Sequence, residues 1–328
     1  MDRRFRYLLI LSFLAIFTTA NAQFDDPKTL EVGPHVGASF YMGDLNPTLP
    51  FAQSQLQYGG LVRFNYNNRW TFRFDYSHAT VKADDEVIKW RPERGLNFTT
   101  KINDFSLVAE FNFIEYYTGN PKKNVSPYIF GGISVFQYTP YAMVRGELVN
   151  LRDYETEAPL GDDAKWYERI TDRSMPVGFS IPFGMGVKFS LSRHMAATVE
   201  LRMHKTFTDY LDDVGTVYAS SSFVETHAII KENHIVTTET GEINTNESYV
   251  LWYSLSDPSA GPLTLQVDKD GKEILQYDEN NDVKVPGNYK PGQQRGNSAF
   301  NDWFGMARVS LTWKFNLPDG RGCNLSKF

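Results

Sequence analysis

The sequence predicts an all-β protein, an eight-stranded antiparallel transmembrane β-barrel with long extracellular loops. Three observations lead there. Eight segments alternate apolar with small or polar side chains, the period of a strand whose successive residues face opposite sides. Each runs about ten residues, the length a tilted strand needs to cross a bilayer. The connections alternate long and short, as in barrels with short periplasmic turns and longer external loops.

The chain opens with a targeting segment. Arg3, Arg4 and Arg6 precede an apolar run from Tyr7 to Phe17, too short to span a membrane. Ala20-Asn21-Ala22 then supplies a small-x-small cleavage signal, which places processing between Ala22 and Gln23. Removing residues 1–22 leaves 30 bases against 38 acids, a net charge of −8. That balance argues against a nucleic-acid partner.

Strand one, about Leu30 to Tyr41, sets Val32, Pro34, Val36, Ala38 and Phe40 against Glu31, Gly33, His35, Gly37 and Ser39. Strand two sets Tyr58, Val62, Phe64 and Tyr66 against Leu61, Arg63 and Asn65. Asn67-Asn68 reads as a tight turn, because Asn tolerates positive φ. Strand three sets Trp70, Phe72, Phe74 and Tyr76 against Thr71, Arg73, Asp75 and Ser77. Strand four sets Phe105, Leu107, Phe111 and Phe113 against Ser106, Glu110 and Asn112. Strand five, about Ser126 to Tyr138, is apolar on both sides, so its facing stays open. Strand six sets Phe179, Ile181, Phe183, Met185, Val187 and Phe189 against Ser180, Gly184, Gly186 and Lys188. Strand seven sets Val199, Leu201 and Met203 against Glu200, Arg202 and His204. Strand eight sets Trp303, Val309, Leu311, Trp313 and Phe315 against Arg308, Thr312 and Lys314.

A soluble sandwich would turn its aromatic face to a core and its polar face to water. Here the polar face carries Arg63, Arg73, Asp75, Glu110, Glu200, Arg202 and Arg308 among small residues. Charges of both signs on one face suit a narrow barrel interior, where they pair at close range. Eight strands enclose a space that their own side chains fill, so no transport channel is expected. The short connections fall at Asn67-Asn68, about 117–124 and about 192–194; the long ones at about 45–56, 79–103, 139–174 and 208–301. Even strand number puts both termini in the periplasm. Tyr66, Trp70, Phe113, Tyr116, Tyr117, Trp313 and Phe315 are expected in a periplasmic girdle, and Phe40, Tyr58, Tyr76, Phe105 and Trp303 in an outer one.

The expected organisation is a signal peptide at 1–22, a barrel from 23–220 and 296–315, an acidic external insertion at 221–295 and a periplasmic tail at 316–328. Residues 208–300 hold fifteen acids and six bases. The strand-like stretches Ala228–Thr238, Tyr249–Leu255 and Leu263–Gln276, the last turning at Asp270-Gly271, predict a small β-rich lobe there.

No stretch predicts a cofactor or a metal. Asp268 to Gly271 and Asp278 to Asp282 lack the ligand set of a calcium loop. Barrel enzymes need a nucleophile beside a histidine. Of the candidates, His78 and Ser77 face opposite sides, and His204 and Glu200 are four residues apart, about 13 Å along a strand. His35 and Ser39 have the same spacing, and the chain reads as a non-enzyme. Cys323 is the sole cysteine. It is either an inert thiol or one half of an intermolecular disulfide.

Several strings add a resemblance: Gly43-Asp44-Leu45-Asn46 after Ala38-Ser39-Phe40-Tyr41, Ser126-Pro127-Tyr128 through Gly132, Phe183 through Lys188, Tyr210-Leu211-Asp212-Asp213-Val214, and Asp302-Trp303-Phe304 with a Cys beyond the last strand. Together they resemble the PorG-like outer-membrane barrels of the Bacteroidetes, of the DUF6089 type, over about 30–220 and 296–325. The resemblance implies a non-enzymatic component of the type IX secretion system. Such barrels are thought to attach a periplasmic ring, a lipoprotein with its partner protein, to the outer membrane, and in gliding members the system also exports motility adhesins. On that reading the partners are outer-membrane lipid and the ring proteins. The contact candidates are Asn67, Asn68, Lys122, Lys123, Arg193 and the Cys323 tail. A structural or adhesive surface barrel, binding an external ligand through the acidic loop, and a lipid-modifying barrel enzyme are the alternatives.

Overall fold

The computed structural model describes residues 28–144, 147–151, 177–215 and 301–317, with short pieces at 217–218, 258–260, 266–267, 273–274, 289 and 293–297. Eight long strands close into one antiparallel barrel. They are β1 (Thr29–Met42), β2 (Gln55–Asn65), β3 (Trp70–Asp84), β4 (Asn97–Asn112), β5 (Val125–Val144), β7 (Val177–Ser190), β8 (Met195–Thr206) and β11 (Trp303–Asn316). Each pairs with its sequence neighbour, and β11 returns to β1 with Thr29 opposite Asn316. The first strand therefore begins, and the last ends, on the rim that carries the short turns. Two small additions complete the pattern. β6 (Glu147–Asn150) folds back on the protruding end of β5, and β9 (Gln266–Val267) pairs with β10 (Glu273–Ile274); the expected Asp270-Gly271 turn lies outside the described residues. The remainder of the expected lobe, the signal segment with Ala22 and Gln23, and Cys323 lie outside the described residues.

The outer wall is apolar. Phe72, Phe74, Leu107, Ile133, Met185, Val199, Val309 and Trp313 are all exposed, Ile133 to 67%. Leaving one such side chain in water forfeits about 1.5–3 kcal/mol. A belt of this size far exceeds the patches a soluble monomer tolerates, and hydrocarbon is the solvent that accommodates it.

Both walls change character at one level. Below it the inward positions are mostly polar: Arg73, Asp75 and Ser77 on β3, Asp104 and Ser106 on β4, Ser134 on β5, Arg308 on β11, with Val108, Tyr128 and Phe130 an apolar patch among them. Above it the inward positions of the same strands become Ala79, Val81 and Ala83, Phe98 and Ile102, Phe136 and Tyr138, Phe304 and Met306, which form one buried apolar cluster with Tyr41, Leu45, Leu211 and Val214. On β3, β4 and β5 the first outward positions above that level turn polar, while Leu56, Met143 and Val177 stay apolar and exposed. Tyr76 gives way to His78, Phe105 to Asn103, and Val135 to Gln137. Toward the short turns the barrel is built for lipid outside and charge inside; toward the long loops it is built like a water-soluble domain.

This inversion corrects several expectations. The strands do not stop at Ser77 and Phe105. The β3–β4 hairpin runs on to Asp84 and resumes at Asn97, joined by the helical turn α1 (Asp85–Ile88), capped by Asp84 and ended by Lys89 in a left-handed conformation. β5 likewise continues to Val144. Phe40 is not in the outer girdle, because Phe51 covers it at 4.6 Å. Tyr116 is not in the periplasmic girdle, because it is buried inside the short-turn mouth. Neither Asn67 nor Asn68 has positive φ. Their turn is closed instead by the Asn67 side chain, whose Oδ1 accepts from the N–H groups of Arg69 (2.9 Å) and Trp70 (2.7 Å).

The facing of β5 is settled. Tyr128, Phe130 and Phe136 point inward, and Ile129, Ile133 and Val135 point to lipid. The room comes from β7. A Cβ on Gly184 would lie 2.8 Å from Phe130 Cζ, on Gly186 2.8 Å from Tyr128, and on Gly178 2.5 Å from Phe136.

Candidate functional site

The barrel interior is one ion network. Arg63 bridges Glu31 (3.0 Å) and Glu110 (3.3 Å); Arg73 reaches Asp75 (2.8 Å), Glu110 (2.5 Å) and Glu200 (2.7 Å). Arg202 pairs with Asp75 (2.8 Å) and Glu200 (3.1 Å), Arg308 with Asp75 (2.8 Å) and Glu200 (2.8 Å), and Lys188 with Glu110 (2.5 Å). All seven interior charges named from the sequence meet here. Glu31 and Lys188 join them from inward positions of β1 and β7. Taking charges out of water costs several kcal/mol per ion, and only close multiple pairing offsets that. Aromatics fill the space between. Tyr128 Oη donates to Glu200 (2.6 Å), and the Arg73 and Arg202 guanidiniums each lie 5.1 Å from the Phe130 ring centre.

A nearby group superficially resembles hydrolytic machinery. Ser180 Oγ lies 3.0 Å from His204 Nδ1, and Asp104 Oδ1 lies 3.8 Å from the same nitrogen. A relay needs the serine and the carboxylate on opposite ring nitrogens. Here both crowd Nδ1, while the ring stacks on Phe304 at 4.2 Å. Glu200 is held by arginines and Tyr128 and shares no hydrogen bond with His204. His35 Nε2 faces Tyr76 O (3.1 Å) and Ser77 Oγ (3.5 Å), and the Ser39 hydroxyl instead donates to Thr80 O (2.6 Å). His78 and Ser77 do face opposite sides.

The long-loop mouth is closed by segments distant in sequence. Arg94, buried, forks onto Asp85 (3.0 and 2.8 Å) and donates to the carbonyls of Asp44 (3.1 Å) and Arg295 (3.1 Å). Arg295 donates to Asp213 O (2.6 Å), and the Asn297 N–H to Asp44 Oδ2 (2.6 Å). The Tyr41 hydroxyl meets carboxylates of both Asp212 and Asp302, and Asp302 Oδ2 accepts from Leu211 N–H (3.0 Å). Burial, reinforced by Asp302 and Asp44, holds the Asp212 carboxyl well above the usual carboxylate range, and burial pushes Asp302 up to about 7. One hydroxyl proton cannot serve two carboxylates, so the pair retains a second proton. Sequence reasoning missed this latch as a site, although Asp44, Asp212 and Asp302 stand in the strings that carry the family resemblance. Arg94 and Asp85 gave no such signal, since they fall in what reads as an ordinary loop. Beside the latch runs a groove of about 640 Å³ lined by Met42, Trp90, Met203, Asn297 and Trp303.

The short-turn mouth is closed too. Thr118 Oγ1 donates to Glu31 (2.6 Å), Lys314 donates to the Thr118 carbonyl, and the Lys314 ammonium lies 4.5 Å from the Tyr117 ring centre. Gly119, at φ 93°, brings this turn against the next one: a Cβ there would lie 2.6 Å from Arg193 O. Of the contact candidates, Lys122 and Arg193 are exposed, and Lys123 is partly exposed and pairs with Glu115 (2.6 Å). Asn67 is half-buried. Asn68 is buried and offers no docking surface; its carbonyl accepts from Tyr116 N–H (3.1 Å) and Asn112 Nδ2 (3.2 Å).

The model of a family described as a domain of unknown function, DUF6089, matches residues 5–160, through the first five barrel strands. No curated protein matches the chain by sequence. Among solved structures the chain is similar to the outer membrane protein OprG from Pseudomonas aeruginosa, at 9% identity over 89% of this chain and 97% of that one, with a TM-score of 0.35. It is also similar to Ail, the attachment invasion locus protein of Yersinia pestis, at 8% identity over 88% and 99% with a TM-score of 0.34. Neisserial surface protein A matches at 8% identity over 88% and 97%, with a TM-score of 0.32.

Proposed function

We propose that this protein is a non-enzymatic anchor in the outer membrane, a component of a type IX protein secretion system that ties the periplasmic ring, a lipoprotein with its partner, to the membrane. The observation that carries the reading is a barrel closed at both mouths and packed with paired charge between them. What the described part of such a body offers is a fixed position and two exposed ends. The short-turn rim, with both ends of the barrel chain and the Cys323 tail, is assigned to the periplasm. Lys122, Lys123 and Arg193 give it a cationic docking face. The resemblance of the 43–46 and 210–214 strings to PorG-like barrels, together with the DUF6089 match, supports the choice of machine, and a role in gliding motility would follow from that system's cargo.

The test is affinity purification of the full chain from detergent-solubilised membranes. The ring lipoprotein is expected to co-purify, and changing Lys122, Lys123 and Arg193 together to Glu should cut its recovery at least about tenfold. Undiminished recovery would count against the docking face, and no recovery from the unaltered chain against the machine. A second reading, an adhesive barrel binding a ligand outside the cell, is favoured by the excess of fifteen acids over six bases in 208–300. It predicts that deleting 221–295 abolishes surface binding and leaves ring recovery intact.

A further inference from the structure

Outward-facing charges on the barrel strands are few and clustered. Below the level where the walls invert there are none. Above it, on the described outer wall, stand Lys82 on β3, Lys101 on β4 and Lys205 on β8, with Asp84 turned away to cap α1 by accepting from Glu86 N–H (2.9 Å). Lys82 and Lys101 have no carboxylate partner among the described residues. The register sets Lys82 opposite Thr99 and Lys101 opposite Thr80, so the two ammonium stems are diagonal neighbours on one face.

Beside them Asn103 presents donors. Asn103 Oδ1 takes up both the Tyr76 hydroxyl (3.1 Å) and His78 Nδ1 (2.8 Å). That fixes the amide and leaves its two N–H groups unpaired among the described residues. Lys101 also lies 5.3 Å from the Tyr141 ring centre. Directly below are the exposed rings of Tyr58, Tyr76 and Phe105, with Tyr76 and Phe105 in contact at 5.1 Å. Lys101 stands four residues above Phe105, about 13 Å along the strand and less along the tilted barrel normal.

An array of two ammonium groups and a fixed amide, set just above an aromatic girdle and below it a hydrocarbon-facing wall, matches an amphiphile with an anionic head. We propose that the outward face of β3 and β4 above the girdle binds the phosphate of an outer-leaflet membrane glycolipid, with Lys82, Lys101 and Asn103 as donors. Tetrahedral phosphate oxygens suit several charge-assisted donors at once, and the acyl chains continue down the wall past Phe105 and Leu107. The inference goes beyond the anchoring role and stands whether or not the ring binds at the opposite rim.

The test uses the full chain purified in dodecyl maltoside and titrated with monophosphoryl lipid A, read by native mass spectrometry. The expected result is saturable binding at least about tenfold tighter than for the same lipid stripped of its phosphate, and no saturable binding of inorganic phosphate. Changing Lys82 and Lys101 together to Gln should lose that tenfold preference, and changing both to Arg should keep it. The pair Lys28→Gln and Arg69→Gln at the far rim should leave it untouched. Folding of each variant is checked by heat-dependent gel mobility. Equal affinity for the two lipids, an unchanged Gln pair, an equal loss at the far rim, or inorganic phosphate bound as tightly as the lipid would each overturn the proposal.

Discussion

Glu200 shows how one side chain can organise a barrel interior. Its Oε2 accepts from Arg73 (2.7 Å) and Tyr128 (2.6 Å), and its Oε1 from Arg202 (3.1 Å) and Arg308 (2.9 Å). Removing it leaves three buried guanidiniums sharing Asp75, with only Arg73 keeping a second carboxylate, Glu110. Glu200→Ala should therefore lower unfolding stability in detergent by about 3–5 kcal/mol, measured by urea titration of intrinsic tryptophan fluorescence. Glu115, exposed beside Lys123, is the control: Glu115→Ala should leave the midpoint unchanged, since exposed pairs contribute little. A change in Glu200→Ala no larger than in the control would show that the network is ornamental. The residues of this network were readable in advance because each sits at an inward position of a clearly alternating strand. Their partners were not, since pairing depends on side chains reaching across the lumen between strands far apart in sequence, as Arg73 reaches Glu200.

At the scale of elements, the latch over the long-loop mouth joins the segments 43–46, 85–96, 210–214 and 295–297 with Asp302. Around the Tyr41, Asp212 and Asp302 cluster stand Asp44, Asp209, Asp213, Asp85, Arg94 and Arg295, so acids outnumber bases. Asp302 titrates near 7 in the folded protein against about 3.9 in an unfolded chain. Between those values the folded form holds the extra proton. Its stabilising contribution is full below about pH 4, declines as pH rises toward 7 and is gone above it. Limited proteolysis of the loops from pH 4 to 9 should show faster cleavage as pH rises, and Asp302→Asn should flatten that slope. A wild-type profile flat across the range would refute the retained proton. The same elements show why some structure was illegible. The β3–β4 hairpin reads as a loop after Ser77 because its polarity inverts there while its period of two continues, and a reader following lipid-facing aromatics loses the strand when the outward residues become His78, Thr80 and Lys82. β5 was ambiguous for another reason. What decides its facing is the absence of side chains at Gly178, Gly184 and Gly186 on a different strand, which is usable only once the register is known.

For the whole molecule, both mouths are shut and the middle is filled. Purified protein reconstituted into planar bilayers should give no conductance steps above baseline, checked by single-channel recording in 1 M KCl; steps of open-pore size would contradict the sealed lumen. Solubility should require detergent, because the exposed belt has no other way to avoid water.

The coincident inversion of the two walls has a mechanical corollary. A cylinder with a uniformly greasy exterior could drift along the bilayer normal at little cost. This one would drag His78 and Lys101 into oil if it sank, or lift Tyr76 and Phe105 out of it if it rose. Its depth is therefore held near that level, and anything tethered to either rim meets the membrane at a near-constant height.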